Sequence, residues 1–98
     1  MNRLNEEILK LEKFLKTLAN KRRLAVLKHL AKVKTATLSD LAEVAGISEK
    51  SMSKHLQFLD NVGLIEKTTS GVQVVCSLAH DHPEKYKDVL EAVAKILK

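Results

Sequence analysis

The segment "LSDLAEVAGISEKSMSKHLQFL", residues 38–59, restricts the fold of this chain more than any other stretch. Thr37, with Asp40 three residues later, is a capping-box pattern that opens a short helix over "LSDLAEVA", and Gly46 supplies a left-handed residue to end it. Ser48 then caps a further helix. Its buried side is Met52, Leu56 and Leu59, at spacings of four and three, with Ile47 as a hydrophobic staple ahead of the cap. Lys50, Ser51, Ser53, Lys54 and Gln57 occupy its other faces. A three-residue turn therefore joins two short amphipathic helices, which is the arrangement of a helix-turn-helix.

The flanking segments extend the pattern. Residues 3–18 place Leu4, Ile8, Leu11, Leu15 and Leu18 at alternating steps of four and three, the stripe of an amphipathic helix. Asn20 caps a second helix, "KRRLAVLKHLAKV", whose Leu24, Leu27 and Leu30 are expected to face inward with Ala25 and Ala31 nearby. Lys21, Arg22 and Arg23 crowd its first turn, where cations oppose the helix dipole, and this suggests that they serve an anion. After Gly63, "LIEK", "TTSG" and "VQVVCSL" read as strand, tight turn and strand, a β-hairpin. Asp81 or His82 caps a last helix with Pro83 in its first turn and a stripe of Tyr86, Val89, Leu90, Val93, Ile96 and Leu97. Residues 1–98 thus read as a single mainly α domain with a small β-hairpin, about five helices plus a two-stranded wing, in the order of a winged helix-turn-helix.

A chain of 98 residues with three aromatics, Phe14, Phe58 and Tyr86, buries a modest aliphatic core by itself, and a second chain would add to it. The stripes of the first and last helices are wider than such a core absorbs. Leu4, Ile8, Leu11, Val89, Val93 and Ile96 are therefore expected at a twofold homodimer interface. A net charge of +5 and an isoelectric point near 9.4 suit a polyanion. The helix after the turn has the outer face that a major-groove reader needs, short hydrogen-bonding and basic side chains that approach base edges and phosphates without bulk. No apolar run reaches the length of about 18 residues that a membrane span requires, and "MNRLNEEILKLEK" has no apolar signal core, so a cytoplasmic protein without membrane contact is expected. A single cysteine, Cys76, excludes an intramolecular disulfide and a Cys-x-x-Cys motif, which suits a reducing compartment.

At these positions the chain resembles the ArsR-type winged-helix repressors. The matching stretches are "LKTLANKRRLAVLKHL" at 15–30, "LSDLAEVAGISEKSMSKHLQFLDNVGLIEK" at 38–67 and "GVQVVCSL" at 71–78. Most specific are the Leu-Ala-Asn-x-x-Arg-Leu run and Ser-Lys-His-Leu-x-x-Leu followed by Gly-Leu-Ile. The resemblance implies a homodimer paired through its first and last helices and bound to a twofold-related operator on double-stranded DNA, usually as a repressor released by a signal. It also implies DNA contacts at Lys50, Ser51, Ser53, Lys54 and Gln57, with a backbone contact at Ser48. His55 matches a histidine common in the family and is read as a partly buried hydrogen-bonding residue. Two features depart from the pattern. The hairpin turn "TTSGVQ" lacks the usual arginine or lysine, and Glu49 and Asp60 leave the reading helix nearly neutral, which shifts phosphate binding toward Lys21, Arg22 and Arg23.

Many relatives sense metals, and "HDH" at 80–82 could supply part of a Zn²⁺ shell. A closed site needs about four ligands. The positions that would complete it from the partner's last helix are Val93 and Ile96, and the third helix holds no cysteine, so no metal or other cofactor is expected and divalent ions are not expected to be effectors. Cys76 reads as a small buried hydrophobe on a strand. Without a Gly-rich phosphate loop or a nucleophile elbow, an enzyme is not expected. The alternative function is a winged-helix protein-protein interaction or assembly module, which would lack salt-sensitive binding to duplex DNA.

Overall fold

The computed structural model describes residues 3–80 and 84–98, with the side chains of all of these except Arg3, Leu4 and Lys85. Helix α1 covers Arg3–Leu18 and α2 covers Lys21–Val33. Asn20 ends the link between them, its side-chain oxygen accepting the amide hydrogens of Arg22 at 2.9 Å and Arg23 at 3.1 Å. A helix start leaves its first amides without intrahelical partners, so this bond sets where α2 begins. Helix α3, Leu38–Ala45, opens on the expected capping box: Asp40 N–H donates to Thr37 Oγ1 at 3.1 Å and Thr37 N–H to Asp40 Oδ2 at 3.3 Å. Gly46, at φ +69°, closes it, and the Ile47 amide then donates back to Ala42 at 3.0 Å. Helix α4 follows over Glu49–Asn61.

The expected two-stranded wing is present as a hairpin, and a third strand from ahead of the helix-turn-helix extends it into a three-stranded sheet. Strands β1 (Thr35–Thr37), β2 (Ile65–Ser70) and β3 (Gln73–Leu78) are antiparallel in the order β1-β3-β2. A three-residue strand has no alternation of its own; Thr35–Thr37 is a strand because β3 offers a free edge, with Ala36 opposite Cys76. The hairpin turn also lies later than its composition suggests. Thr68, Thr69 and Ser70 belong to β2, paired with Val75, Val74 and Gln73, and the turn itself is Gly71–Val72. Gly71 has φ +64°, the conformation that a two-residue hairpin turn with glycine first requires.

The core gathers Val26, Leu30, Leu41, Met52, Leu56 and Leu59 from α2, α3 and α4 against Ile65 and Cys76 of the sheet and Leu64 just ahead of it. In α2 the inward row is Val26, Leu27 and Leu30, with Leu24 half-exposed on its flank. Residues spaced by threes drift around a helix by about 60° per step, so Leu24, Leu27 and Leu30 cannot all share one narrow face. From α1, Phe14, Thr17 and Leu18 are buried. Phe14 stacks on Tyr86 at 4.1 Å between ring centroids, which anchors the start of α5 (Lys87–Leu97). A 3-10 turn at Glu84–Tyr86 precedes α5, and the capping position is Tyr86, without a side-chain bond. The helix therefore starts later than the expected cap at Asp81 or His82 with Pro83, residues that lie outside the described ones. No helix among the described residues is long and apolar enough to cross a membrane.

Candidate nucleic-acid interface

Helix α4 is held at both ends and along one side, leaving the opposite side free. Ser48 Oγ accepts the Ser51 amide at 3.1 Å and donates to Ser51 Oγ at 3.1 Å. Met52, Leu56 and Leu59 are buried, and Ile47 packs beside them as the staple. Burying three such side chains contributes about 1.5–3 kcal/mol each, which sets the helix angle against the core. Lys50, Ser53, Lys54 and Gln57, at helical spacing, line one shallow exposed depression, and Ser51 is exposed beside Ser48. Two ammonium groups, a hydroxyl and an amide thus face solvent from one surface. Such groups can donate to phosphate oxygens or read base edges.

The far end of this face is tied to the wing by a residue that sequence reading did not single out. Lys67 Nζ on β2 lies 3.8 Å from Asp60 Oδ2 and donates to Gln57 Oε1 at 3.4 Å, while Gln57 Nε2 donates to Asn61 Oδ1 at 2.9 Å. Lys67 offsets one of the two carboxylates that make α4 nearly neutral. The tight return at Asn61–Gly63, which carries β2 back along α4, is the signal that could have located it.

The basic run at the start of α2 divides in two. Lys21 is exposed and Arg22 half-exposed. Arg23 turns into the fold. Its Nε donates to His55 Nδ1 at 3.1 Å, its Nη1 donates to the carbonyls of Thr17 at 3.3 Å and Lys16 at 3.4 Å, and its guanidinium sits 4.3 Å above the Phe58 ring. One side chain thereby joins the end of α1 to α4, and cation–π attraction adds about 0.5–1 kcal/mol to its bonds. Burial first, then the charges of Arg23 and Arg22, push the His55 imidazole below its ordinary value. His55 is accordingly a half-buried acceptor at Nδ1, as its sequence context suggests.

The expected dimer residues lie on two surfaces. On α1, Ile8 (53%) and Leu11 (41%) are exposed together with Leu9 and Leu15; on α5, Ile96 is 82% exposed. Val89 and Val93 pack partly against the core, and the side chain of Leu4 is outside the described ones. His80 is exposed, Asp81 and His82 are not described, and no group of three metal-ligating side chains occurs among the described residues. Cys76 is fully buried, and burial pushes its thiol up, with Asp60 adding to the rise and Lys67 opposing it.

Residues 20–67, from the cap of α2 into β2, match the family model of the bacterial regulatory proteins of the arsR family. Among solved structures, NolR from Sinorhizobium fredii is similar with a TM-score of 0.78 and 25% identity, over 98% of this chain and 92% of that one. The homodimeric winged helix-turn-helix DNA-binding domain Mb0332 from Mycobacterium bovis gives a TM-score of 0.75 and 26% identity, over 98% of this chain and 82% of that one. Reduced HlyU from Vibrio cholerae shares the fold, with a TM-score of 0.73 and 23% identity over 98% of this chain and 97% of that one. No curated protein matches the sequence.

Proposed function

Residues 20–67 match the family model of the arsR bacterial regulatory proteins, and from that premise we propose that the chain is a sequence-specific regulator that binds double-stranded DNA as a homodimer. The observation that carries this reading is the free face of α4: Lys50, Ser53, Lys54 and Gln57 lie open on one side, while Met52, Leu56 and Leu59 fix the other in the core. Lys54 and Ser51 read base edges, and Lys50, Ser53 and Gln57 support them at the groove wall. Ser48 contributes a backbone contact, and Lys21 and Arg22 neutralise phosphates. Arg23 contributes by holding α2 against α4. The Mb0332 domain is a homodimeric DNA-binding unit, and the exposed stripes of α1 and α5 support the same state here. A twofold dimer presents two α4 helices to half-sites about 34–36 Å apart, one helical turn of DNA.

The regulator acts as a repressor in the cytoplasm, and divalent metals do not release it. Selection of bound duplexes from a random pool tests the assignment, with a palindromic consensus as the expected result. A protein that recovers no consensus and binds duplex without salt dependence would instead be an assembly module. With the selected duplex, excess Zn²⁺ is expected to leave affinity unchanged, and a metal-dependent loss that vanishes in a His80→Ala, His82→Ala variant would overturn that part.

A further inference from the structure

Helix α5 stands off α2 and leaves an apolar cavity of about 620 Å³ between them. Leu27 and Ala31 line one wall, α5 from Leu90 through Ala94 to Leu97 the other, and Leu64 and Leu78 the floor. The volume falls in the range of about 300–1,000 Å³ typical of small-molecule sites. Lys28 and Lys32, one turn apart on α2, and Lys98 complete the lining, which contains no carboxylate side chain. Two ammonium groups from α2 outweigh the partial negative charge at the C-terminal end of α5 and leave the cavity electrically suited to an anion.

We propose that this cavity binds a free single-chain carboxylate of medium length, its alkyl chain between α2 and α5 and its head group at Lys28 and Lys32. A second copy of the chain is the rival occupant, and charge argues against it. A twofold mate seated over the lysines would bring another Lys28, Lys32 and Lys98 against the first set, a self-repelling rather than self-complementary contact. A carboxylate head group meets the same lysines with attraction, and its chain removes the apolar walls from water. Because α5 also carries Ile96 of the proposed twofold face, a bound chain sets how far α5 stands from α2. That link to DNA release rests on the regulator reading; the site itself does not.

Direct calorimetric titration of the full-length chain without DNA tests the site. The probes are octanoate, decanoate and dodecanoate, with decyltrimethylammonium as the cation of matching tail, all below micellar concentration. Expected is a tightening of about tenfold for every two methylenes added, since the chain is being buried. The cation should bind at least about tenfold more weakly than decanoate, by loss of the lysine contacts. Lys28→Gln with Lys32→Gln removes the preference for the anion and keeps the dependence on tail length. Ala31→Phe, or Ala94→Phe from the opposite wall, fills the cavity and abolishes binding, with circular dichroism reporting an intact fold. Equal binding of cation and anion, no effect of tail length, or wild-type affinity in both filled variants would overturn the proposal. Binding that occurs only when the dimer dissociates would assign the cavity to the second copy and overturn it as well. In a separate arm, decanoate lowers the DNA affinity of the wild type but not of Ala31→Phe; unchanged affinity would overturn the link to release, and failure to bind DNA at all would overturn the regulator reading while the titration still judges the site.

Discussion

The guanidinium of Arg23 reaches His55, Phe58 and the end of α1 at once, and its charge adds to the effect of burial on how His55 titrates. The imidazole is held below its ordinary 6.5 by burial and then by the two arginine charges. The folded protein therefore binds this proton less readily than the unfolded chain, and stability rises with pH across the window. The stability associated with neutral His55 is complete above about 6.5 and is lost as pH falls toward the lower folded value. His55→Gln keeps an acceptor for Arg23 Nε without a titrating group. Urea unfolding of the wild type is expected to show a lower midpoint at about pH 5.5 than at about pH 7.5, and His55→Gln a smaller difference between them. A variant with the undiminished pH response would place the titration elsewhere. Lys34 supplies a second test at this scale. It ends α2 with φ +76° and ψ −51°, a backbone region that a side chain strains. Lys34→Gly is expected to raise stability by about 1 kcal/mol in urea unfolding, the relief of that strain exceeding the added freedom of the unfolded chain.

Helix α4 separates contacts that specify from contacts that grip. Lys54→Ala or Ser51→Ala is expected to relax sequence preference at a cost of about 1–3 kcal/mol of discrimination. Ser51→Ala leaves its own backbone amide on Ser48 Oγ, so the cap persists and the loss reports on DNA rather than on folding. Arg22→Ala is expected to weaken specific and non-specific binding alike and to lower the salt slope by about one, measured by anisotropy over a salt series. If Lys54→Ala left both preference and affinity unchanged, the reading helix would be misassigned. The starts of α2, α3 and α4 were legible in the sequence because their signals are local: Asn20, Thr37 with Asp40, and Ser48 each satisfy amides within three residues. Gly46 closes α3 through its own backbone. What was not legible depends on distant partners. Strand β1 needs the edge of β3, the shifted hairpin turn needs the register of Thr68 and Thr69 against Val75 and Val74, and the inward turn of Arg23 needs a histidine 32 residues away. The placement of Lys67 beside Gln57 is of the same kind.

At the scale of the molecule, the described residues extend 44 × 29 × 23 Å, with a radius of gyration of 13.9 Å. A compact chain of this length has a radius near 13 Å, so the protomer is somewhat elongated. Ile8, Leu9, Leu11 and Leu15 remain exposed on α1, and Ile96 on α5, more large apolar side chains on these two helices than a solvated surface needs. In a twofold dimer each such residue is buried twice. Removing Ile8 and Ile96 from a shared interface costs about 1.5–3 kcal/mol for each buried copy, and a glutamate at either position also carries a charge into that interface. Ile8→Glu with Ile96→Glu is therefore expected to convert a micromolar solution from dimer to monomer in sedimentation velocity. Val44→Glu, at a residue 44% exposed on α3, is expected to leave the dimer intact, which separates loss of the interface from a general effect of surface charge. DNA affinity should fall as the dimer is lost, because a monomer offers one α4 to one half-site and forfeits the high effective concentration of the second. A wild-type chain that sediments as a stable monomer at micromolar concentration would remove the twofold operator from the proposal, and a double variant that stays dimeric would move the interface away from α1 and α5.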